Sequence, residues 1–169
     1  SAEEREKATE AITKSTSEHE KYREILKREF GLHQVSRNDL IRYKLYLELK
    51  RTGFKTLYSN TYIAPNELFS KKFDIEHILP KAKLFDDSFS NKTLELKDIN
   101  IEKADMTARD FVIQKYGEAE LAKFEERVED LYFPKKGKDE IEKNIISKDG
   151  DKRISKAKRD KLLMPESKI

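Results

Sequence analysis

The chain has 169 residues and a mass of 19.9 kDa, which fits one domain at about 150 residues per domain. Charged residues make up 41% of it, yet 36 basic and 33 acidic side chains leave a net charge of only +3. The absence of cysteine excludes disulfides, cysteine nucleophiles and cysteine-ligated zinc. No apolar run reaches the roughly 18 residues of a transmembrane helix, and no apolar segment near the start predicts a signal peptide.

The charge is distributed unevenly along the chain. Residues 31–60 carry a net charge of +4 and residues 131–169 carry +5, whereas residues 91–130 carry −4. The basic run Asp151–Lys161 could contact a phosphate backbone, but alone it favours a solvated helix face or a flexible tail. Net charge by itself therefore does not indicate a nucleic-acid partner.

The first thirty residues predict a helix. Its polar opening segment, Ser1–Ser15, is expected to be either a surface helix or a frayed end. Ser17 and Glu20 form the S-x-x-E pattern of a capping box, and an apolar stripe at helical spacing follows them. Gly31 is expected to end this helix.

A second helix and a hairpin are expected next. Ser36 and Asp39 open the helix, and Gly53 ends it. Two short β-prone runs, Phe54–Tyr58 and Thr61–Ala64, flank a Ser-Asn pair and predict the hairpin. With no cysteine in the chain, packing alone would have to hold this hairpin.

Two strands and a short helix are predicted in the middle of the chain. Phe73–Leu79 is mainly apolar and β-branched, and Lys92–Leu96 gives the second strand. Residues 81–90 between them are expected to form a loop. Asp98 is a candidate cap for a short helix that runs through Lys103.

Helices are expected in the remainder. One opens at Thr107, with Asp110 assisting, and ends at Gly117. The next presents a single apolar face and is followed by a polar segment with a predicted turn at Asp149-Gly150. A final helix is expected over Ile154–Leu163, which makes the fold mostly helical with a small β element. The apolar face consists of Leu121, Phe124, Val128 and Leu131.

The only dense chemical signal lies between Phe73 and Asn100. On a flat strand Asp74 and Glu76 share one face, and His77 points to the other. Glu76 and His77 could serve one site only if the strand ends or kinks at His77, and Pro80 favours an early end. Carboxylate and amide oxygens suit magnesium or manganese, and a neutral histidine suits a general base.

This order of strand, loop, strand and helix resembles the ββα-metal fold of HNH endonucleases. His77 matches the first histidine of the motif, Asn91 the middle asparagine and Asn100 the last position. The composite run HILP, DDS and NKTL within His77–Leu94 is similar to the HNH domain of type II CRISPR RNA-guided DNA endonucleases. The resemblance implies an α+β, predominantly helical fold with a ββα-metal core at about 73–104.

The resemblance also implies roles for individual residues. Glu76 and Asn100 would bind Mg²⁺, with Mn²⁺ as a substitute. The resemblance leaves open whether Asp74 assists as a further ligand. His77 would be the general base that deprotonates the attacking water. Asn91 would hold the loop in shape and orient His77.

The loop and the start of the second strand carry further charged candidates. Lys81, Lys83 and Lys92 are candidates for nucleic-acid contacts, which usually position rather than specify. Asp86 and Asp87 are expected to form a solvated loop turn rather than to bind metal.

The implied reaction is hydrolysis of DNA in bacterial antiviral defence. The metal would bind a non-bridging oxygen of the scissile phosphate and stabilise the leaving 3′-oxygen, giving a 5′-phosphate and a 3′-hydroxyl. The strand cut would be the target strand paired to guide RNA. The implied partners are that heteroduplex and the RuvC-like and recognition parts of the same parent enzyme, in the cytoplasm and away from membranes.

The resemblance divides the chain into three parts. Residues 1–35 are expected to be an N-terminal helical linker, 36–133 the HNH nuclease domain and 134–169 a basic C-terminal linker or extension. The isolated domain is expected to be monomeric and without structural zinc. Two alternatives stay open: a free-standing HNH nickase of the homing or restriction type, and a non-catalytic nucleic-acid-binding module.

Overall fold

The computed structural model describes residues 1–135 and 149–169, which form helices and one two-stranded sheet. The chain divides into two compact units, Ser1–Lys44 and Leu45–Ile169. The predicted mainly helical α+β fold with a ββα core is confirmed. The elements are α1 (Ala2–Arg28), α2 (Arg37–Glu48), β1 (Phe73–His77), β2 (Lys92–Leu96), α3 (Lys97–Lys103), α4 (Ala108–Tyr116), α5 (Glu118–Tyr132) and α6 (Asp149–Leu162).

Helix α1 begins earlier than the predicted cap. Its capping box is formed by Ser1, whose hydroxyl accepts from the backbone N–H of Glu4 at 3.2 Å. The predicted box at Ser17 and Glu20 is wrong, because both residues lie inside the helix. No glycine or proline interrupts the first 28 residues, so the helix extends from the first S-x-x-E pattern of the chain rather than from a later one. Within the described residues, no helix combines the length and apolarity needed to span a membrane.

The predicted cap of α2 is confirmed. The backbone N–H of Ser36 donates to Asp39 Oδ2 at 2.9 Å, and the N–H of Asp39 donates back to Ser36 Oγ at 3.1 Å. Beyond the helix a 3-10 turn, Leu49–Thr52, leads to Gly53, whose φ of +68° closes it.

The segment 54–64 turns back on itself as predicted, with the N–H of Ile63 donating to the Phe54 carbonyl and the N–H of Thr56 to the Thr61 carbonyl, each at 2.8 Å. It is a much shorter hairpin than the two predicted β-prone runs imply. Only one β-bridge, Lys55 with Tyr62, is described in it. Phe54 and Asn60 have φ values of +58° and +54°, which turn the backbone out of the extended region that a regular strand needs. Hydroxyl bonds inside the loop compete with strand pairing; they join Thr56 to Ser59 and Ser59 to Thr61.

The central sheet positions the candidate site residues. Strands β1 and β2 are antiparallel, with a register that runs from Phe73 opposite Leu96 to His77 opposite Lys92. Strand β1 ends at His77, two residues before the end of the predicted run at Leu79, and this is the early end that Pro80 favoured. Helix α3 follows β2 directly, and its N-cap is Leu96 without a side-chain bond, so the predicted cap at Asp98 is wrong.

The helices after the sheet follow the predicted pattern. Thr107 Oγ1 accepts from the backbone N–H of Asp110 at 3.3 Å and caps α4. Gly117, with φ of +91°, separates α4 from α5. The predicted apolar face of α5 is confirmed as core, since its members are at most 6% exposed; they are Leu121, Phe124, Val128 and Leu131.

The predicted turn at Asp149-Gly150 is wrong, because α6 begins at Asp149. The helix packs against α5 and against a 3-10 turn, Phe89–Asn91, that ends the loop after β1. Residues 136–148 of the predicted C-terminal extension lie outside the described residues. The described part of that extension therefore contributes a helix next to the loop that follows His77.

Candidate active site

His77 stands at the point where β1 ends, with 22% of its side chain exposed. Its Nε2 lies 2.8 Å from Asp87 Oδ1. Lys92, the cross-strand neighbour of His77, places its Nζ 3.3 Å from the same carboxylate oxygen. Hydrogen bonds from His77 and Lys92 lower the pKa of Asp87, so the loop presents a charged acceptor to the imidazole.

Asn91 is fully buried and holds the two ends of the loop together. Its Oδ1 accepts from the backbone N–H of Leu79 at 2.9 Å, and its Nδ2 donates to the carbonyls of Leu79 and Asp86 at 3.1 and 2.8 Å. Its own carbonyl accepts from the N–H of Ile78 at 2.8 Å. Asn91 therefore contacts the residue next to His77 through the backbone, and the described contacts include none with the imidazole.

Glu76 faces the interior, on the side of β1 opposite His77. It is 3% exposed, and Tyr58 Oη donates to its Oε2 at 2.5 Å. Lys103 Nζ, itself 1% exposed, donates to Glu76 Oε1 at 3.0 Å and to the His77 carbonyl at 3.2 Å. Burial raises the pKa of Glu76, against the opposing effect of Lys103 and Tyr58. Glu76 therefore belongs to a buried polar cluster behind the histidine.

A second buried carboxylate on the same sheet face holds the preceding loop. Glu95 Oε1 accepts from the backbone N–H groups of Tyr58 and Ser59 at 3.1 and 3.0 Å. Burial raises the pKa of Glu95, while its hydrogen bonds lower it. Through Tyr58, the loop 54–64 is thus tied to both Glu95 and Glu76.

The predicted metal ligands are not equally available. Asp74 and Asn100 are both partly exposed, and within the described chain neither side chain has a hydrogen-bond partner. Their oxygens are hard ligands of the kind that Mg²⁺ and Mn²⁺ prefer. Glu76 presents no exposed oxygen in this arrangement. Among the described residues no group of three histidines or acids could hold a metal. Glu76, as placed, is bonded to Tyr58 and Lys103 and is not available as a ligand.

The three candidate nucleic-acid lysines differ in availability. Lys83 pairs with Glu166, and Lys92 is 10% exposed and paired with Asp87. Lys81 is exposed, and its Nζ lies 6.0 Å from the ring centre of Phe85. Of these three, Lys81 alone makes no ion pair with any described residue.

Helix α6 supplies contacts that sequence reasoning missed. Lys161 Nζ donates to Asp86 Oδ2 and to Ser90 Oγ, each at 2.8 Å. Together with Ser88, Lys161 lowers the pKa of Asp86 to about 2. Asp86 is therefore an anchored carboxylate and not the solvated residue expected from the sequence.

Lys158 on the same helix is also buried. Its Nζ lies 2.9 Å from each carboxylate oxygen of Glu48 and 4.1 Å from the ring centre of Phe89. Because Glu48 precedes Lys158 by 110 residues, no local spacing could have indicated the pair.

A family model and solved structures of known proteins match this chain. Residues 56–109 match the family model described as HNH endonuclease. The fold matches a Type II-C Cas9 enzyme from Actinomyces naeslundii with a TM-score of 0.62 and 21% identity over 98% of this chain. It also matches Cas9 from Streptococcus thermophilus in complex with the AGAA PAM, with a TM-score of 0.60 and 21% identity over 97% of this chain.

The chain spans 15% of the length of each of these two Cas9 chains. The predicted resemblance to the HNH domain of type II CRISPR endonucleases is confirmed by the family match and the shared fold. Residues 56–109 therefore match the HNH endonuclease family model, within a fold that the chain shares with Cas9 enzymes.

Proposed function

We propose that this chain is the nuclease domain of a longer RNA-guided endonuclease and that it cuts the DNA strand paired with the guide RNA. The observation that carries the proposal is the position of His77. It ends β1 inside the HNH match, and its partly exposed imidazole lies beside a loop held by Asn91. The guide RNA, target DNA and other parts of the enzyme are proposed as partners.

His77 would act as the general base, because a histidine can accept a proton near neutral pH. It would take the proton of a water molecule that attacks the scissile phosphorus, leaving a 5′-phosphate and a 3′-hydroxyl. Asn91 would keep the loop shape constant during this step through its bonds to Leu79 and Asp86. Lys81 is the best placed of the three loop lysines to contact a phosphate.

Magnesium or manganese would be held by Asn100 together with an acidic residue of β1. Asp74 already has an available carboxylate, whereas Glu76 would first have to leave Tyr58 and Lys103. A divalent ion held there would supply a Lewis acid for the phosphate oxygens and the leaving 3′-oxygen.

The metal ligands can be tested in the enzyme that contains this chain. With Mg²⁺ and guide RNA, Asn100→Ala is expected to slow cutting of the guide-paired strand by about 10–100-fold, because a ligand oxygen is lost. Excess Mn²⁺ should recover part of the rate. Asn66→Ala, at an exposed asparagine outside the site, should cut like wild type. Equal cutting by wild type and Asn100→Ala, or cutting that persists in a chelator, would contradict the metal site.

A free-standing nickase is the second candidate. The observation in its favour is that the histidine, its loop and the anchors on α6 all belong to one compact unit, Leu45–Ile169. This candidate predicts that the 169-residue chain nicks duplex DNA without guide RNA when Mg²⁺ is present. Nicking by the chain alone that is lost in His77→Ala would favour it over the guided domain.

A further inference from the structure

The imidazole of the candidate general base contacts a carboxylate of the DDS run, Asp87, to which the resemblance assigns no role. Asp87 Oδ1 lies 2.8 Å from His77 Nε2. An ionised carboxylate can only accept hydrogen bonds, so the neutral imidazole that meets it must carry its proton on Nε2. The other ring nitrogen, Nδ1, then has its lone pair available.

One ion pair and an anchored neighbouring residue keep this carboxylate in place. Lys92, which faces His77 across the strand pair, holds the same oxygen at 3.3 Å. The preceding residue, Asp86, is fixed through its side chain by Lys161 and through its carbonyl by Asn91. Asp87 thus extends from an anchored backbone although its own side chain is 58% exposed.

The Nδ1 atom is the part of the ring left for chemistry. Within the described residues it has no hydrogen-bond partner, and 22% of the His77 side chain is exposed. A base needs an unprotonated nitrogen aimed at its substrate, and a hydrogen bond at the other nitrogen fixes both the tautomer and the ring orientation.

We propose that Asp87 is a positioning residue for His77: it accepts the Nε2–H bond and so presents Nδ1 as the atom that takes the proton of the attacking water. This inference rests on the proposed function and deepens it. Asp87 touches neither water nor phosphate in this account, and it acts only through the imidazole.

The tautomer can be measured directly on the 169-residue chain by ¹⁵N NMR of the histidine ring, at a pH where the His77 ring shifts show it to be neutral. In wild type we expect one tautomer, with the proton on Nε2. In Asp87→Ala the two ring nitrogens should move towards each other in chemical shift, because the ring then samples both tautomers. Asp87→Glu should restore most of the wild-type pattern, and Asp105→Ala, at an exposed aspartate elsewhere, should not change it.

The rate can be measured in the enzyme that contains this chain. Asp87→Ala should lower kcat for cutting the guide-paired strand by about 10–100-fold with KM unchanged, the usual cost of losing a partner that orients a functional side chain. Asp87→Glu should recover part of that loss. If His77→Ala cuts like wild type, the proposed function itself fails. If His77→Ala abolishes cutting while Asp87→Ala changes neither the ring shifts nor kcat, only the role of Asp87 is overturned.

Discussion

The buried pair of Glu76 and Lys103 stands directly behind the candidate base. Their side chains are 3% and 1% exposed, and Lys103 also donates to the His77 carbonyl at 3.2 Å. A buried ion pair of this kind is not a large net stabiliser, since desolvation offsets the attraction. Removing one partner, however, leaves the other charge buried and uncompensated.

Lys103→Met is therefore expected to lower the free energy of unfolding by about 3–5 kcal/mol, measured by urea denaturation of the 169-residue chain. Glu76→Gln should be costly for the same reason, so a loss of activity in that variant would not by itself identify a metal ligand. The double variant should be less destabilised than the sum of the two.

The exposed pair Lys123 and Glu120, at 3.1 Å, gives the matched control. Lys123→Met should change stability by about 0–1 kcal/mol. Strict additivity of Lys103→Met and Glu76→Gln would show that the two side chains do not interact as described here.

At the scale of residues, the sequence indicated His77 as the candidate general base. Pro80 correctly suggested that the strand ends at His77, because proline cannot continue the ladder. The opposite orientation of Glu76 also followed from strand alternation. The burial of Lys103 could not be foreseen, since a lysine in a short polar helix is ordinarily expected to be exposed to solvent. Its partners come from β1, 26 and 27 residues earlier.

At the scale of elements, helix α6 supports the loop after β1. Lys161 bonds Asp86 and Ser90, and Lys158 lies against the ring of Phe89. The basic run that the sequence favoured as a solvated face or tail is thus partly buried against this loop. Local spacing cannot reveal a contact such as Lys161 with Asp86, whose partners are 75 residues apart.

The ion pair between Lys161 and Asp86 should give a pH-dependent contribution to stability. The folded pKa of Asp86 is lowered from 3.8 to about 2, so the stabilisation is complete above the unfolded value and is lost as the pH falls towards the folded value. Lys161→Met should therefore cost about 1–2 kcal/mol at pH 6, and the cost should shrink as the pH falls below 3.8.

Denaturation curves of wild type and Lys161→Met across this pH range measure the effect. Lys156→Met, which removes an exposed i,i+4 pair on the same helix, should change stability by about 0.5 kcal/mol or less. A cost of Lys161→Met that stays constant with pH would show that Asp86 is not its partner.

Element bounds were predictable where one local rule acted without competition. The apolar face of α5 followed from periodicity, and the cap of α2 from a single capping box. The short extent of the hairpin at 54–64 was not predictable, because positive φ values and internal hydroxyl bonds limit its strand pairing to one bridge. Helix α1 was predicted over the first thirty residues, but its capping box was misplaced, because three S-x-x-E patterns compete there and a single sequence does not rank them.

At the scale of the whole molecule, a net charge of +3 first seemed to weaken a nucleic-acid role. The described ion pairs explain part of that balance, because many of the lysines and acids neutralise one another across the fold. A domain that spans 15% of the Cas9 chains it resembles need not carry a strongly basic surface, if a longer enzyme delivers its substrate.

The central claim is that His77 is the general base for cutting of the guide-paired strand. It is tested most directly in the full-length guided enzyme, with a different label on each DNA strand and Mg²⁺ present. His77→Ala should slow cutting of the guide-paired strand by about 10²–10⁴-fold and leave the other strand cut as in wild type, while His33→Ala, at an exposed loop histidine, should change neither. Wild-type cutting of the guide-paired strand by His77→Ala would contradict the account.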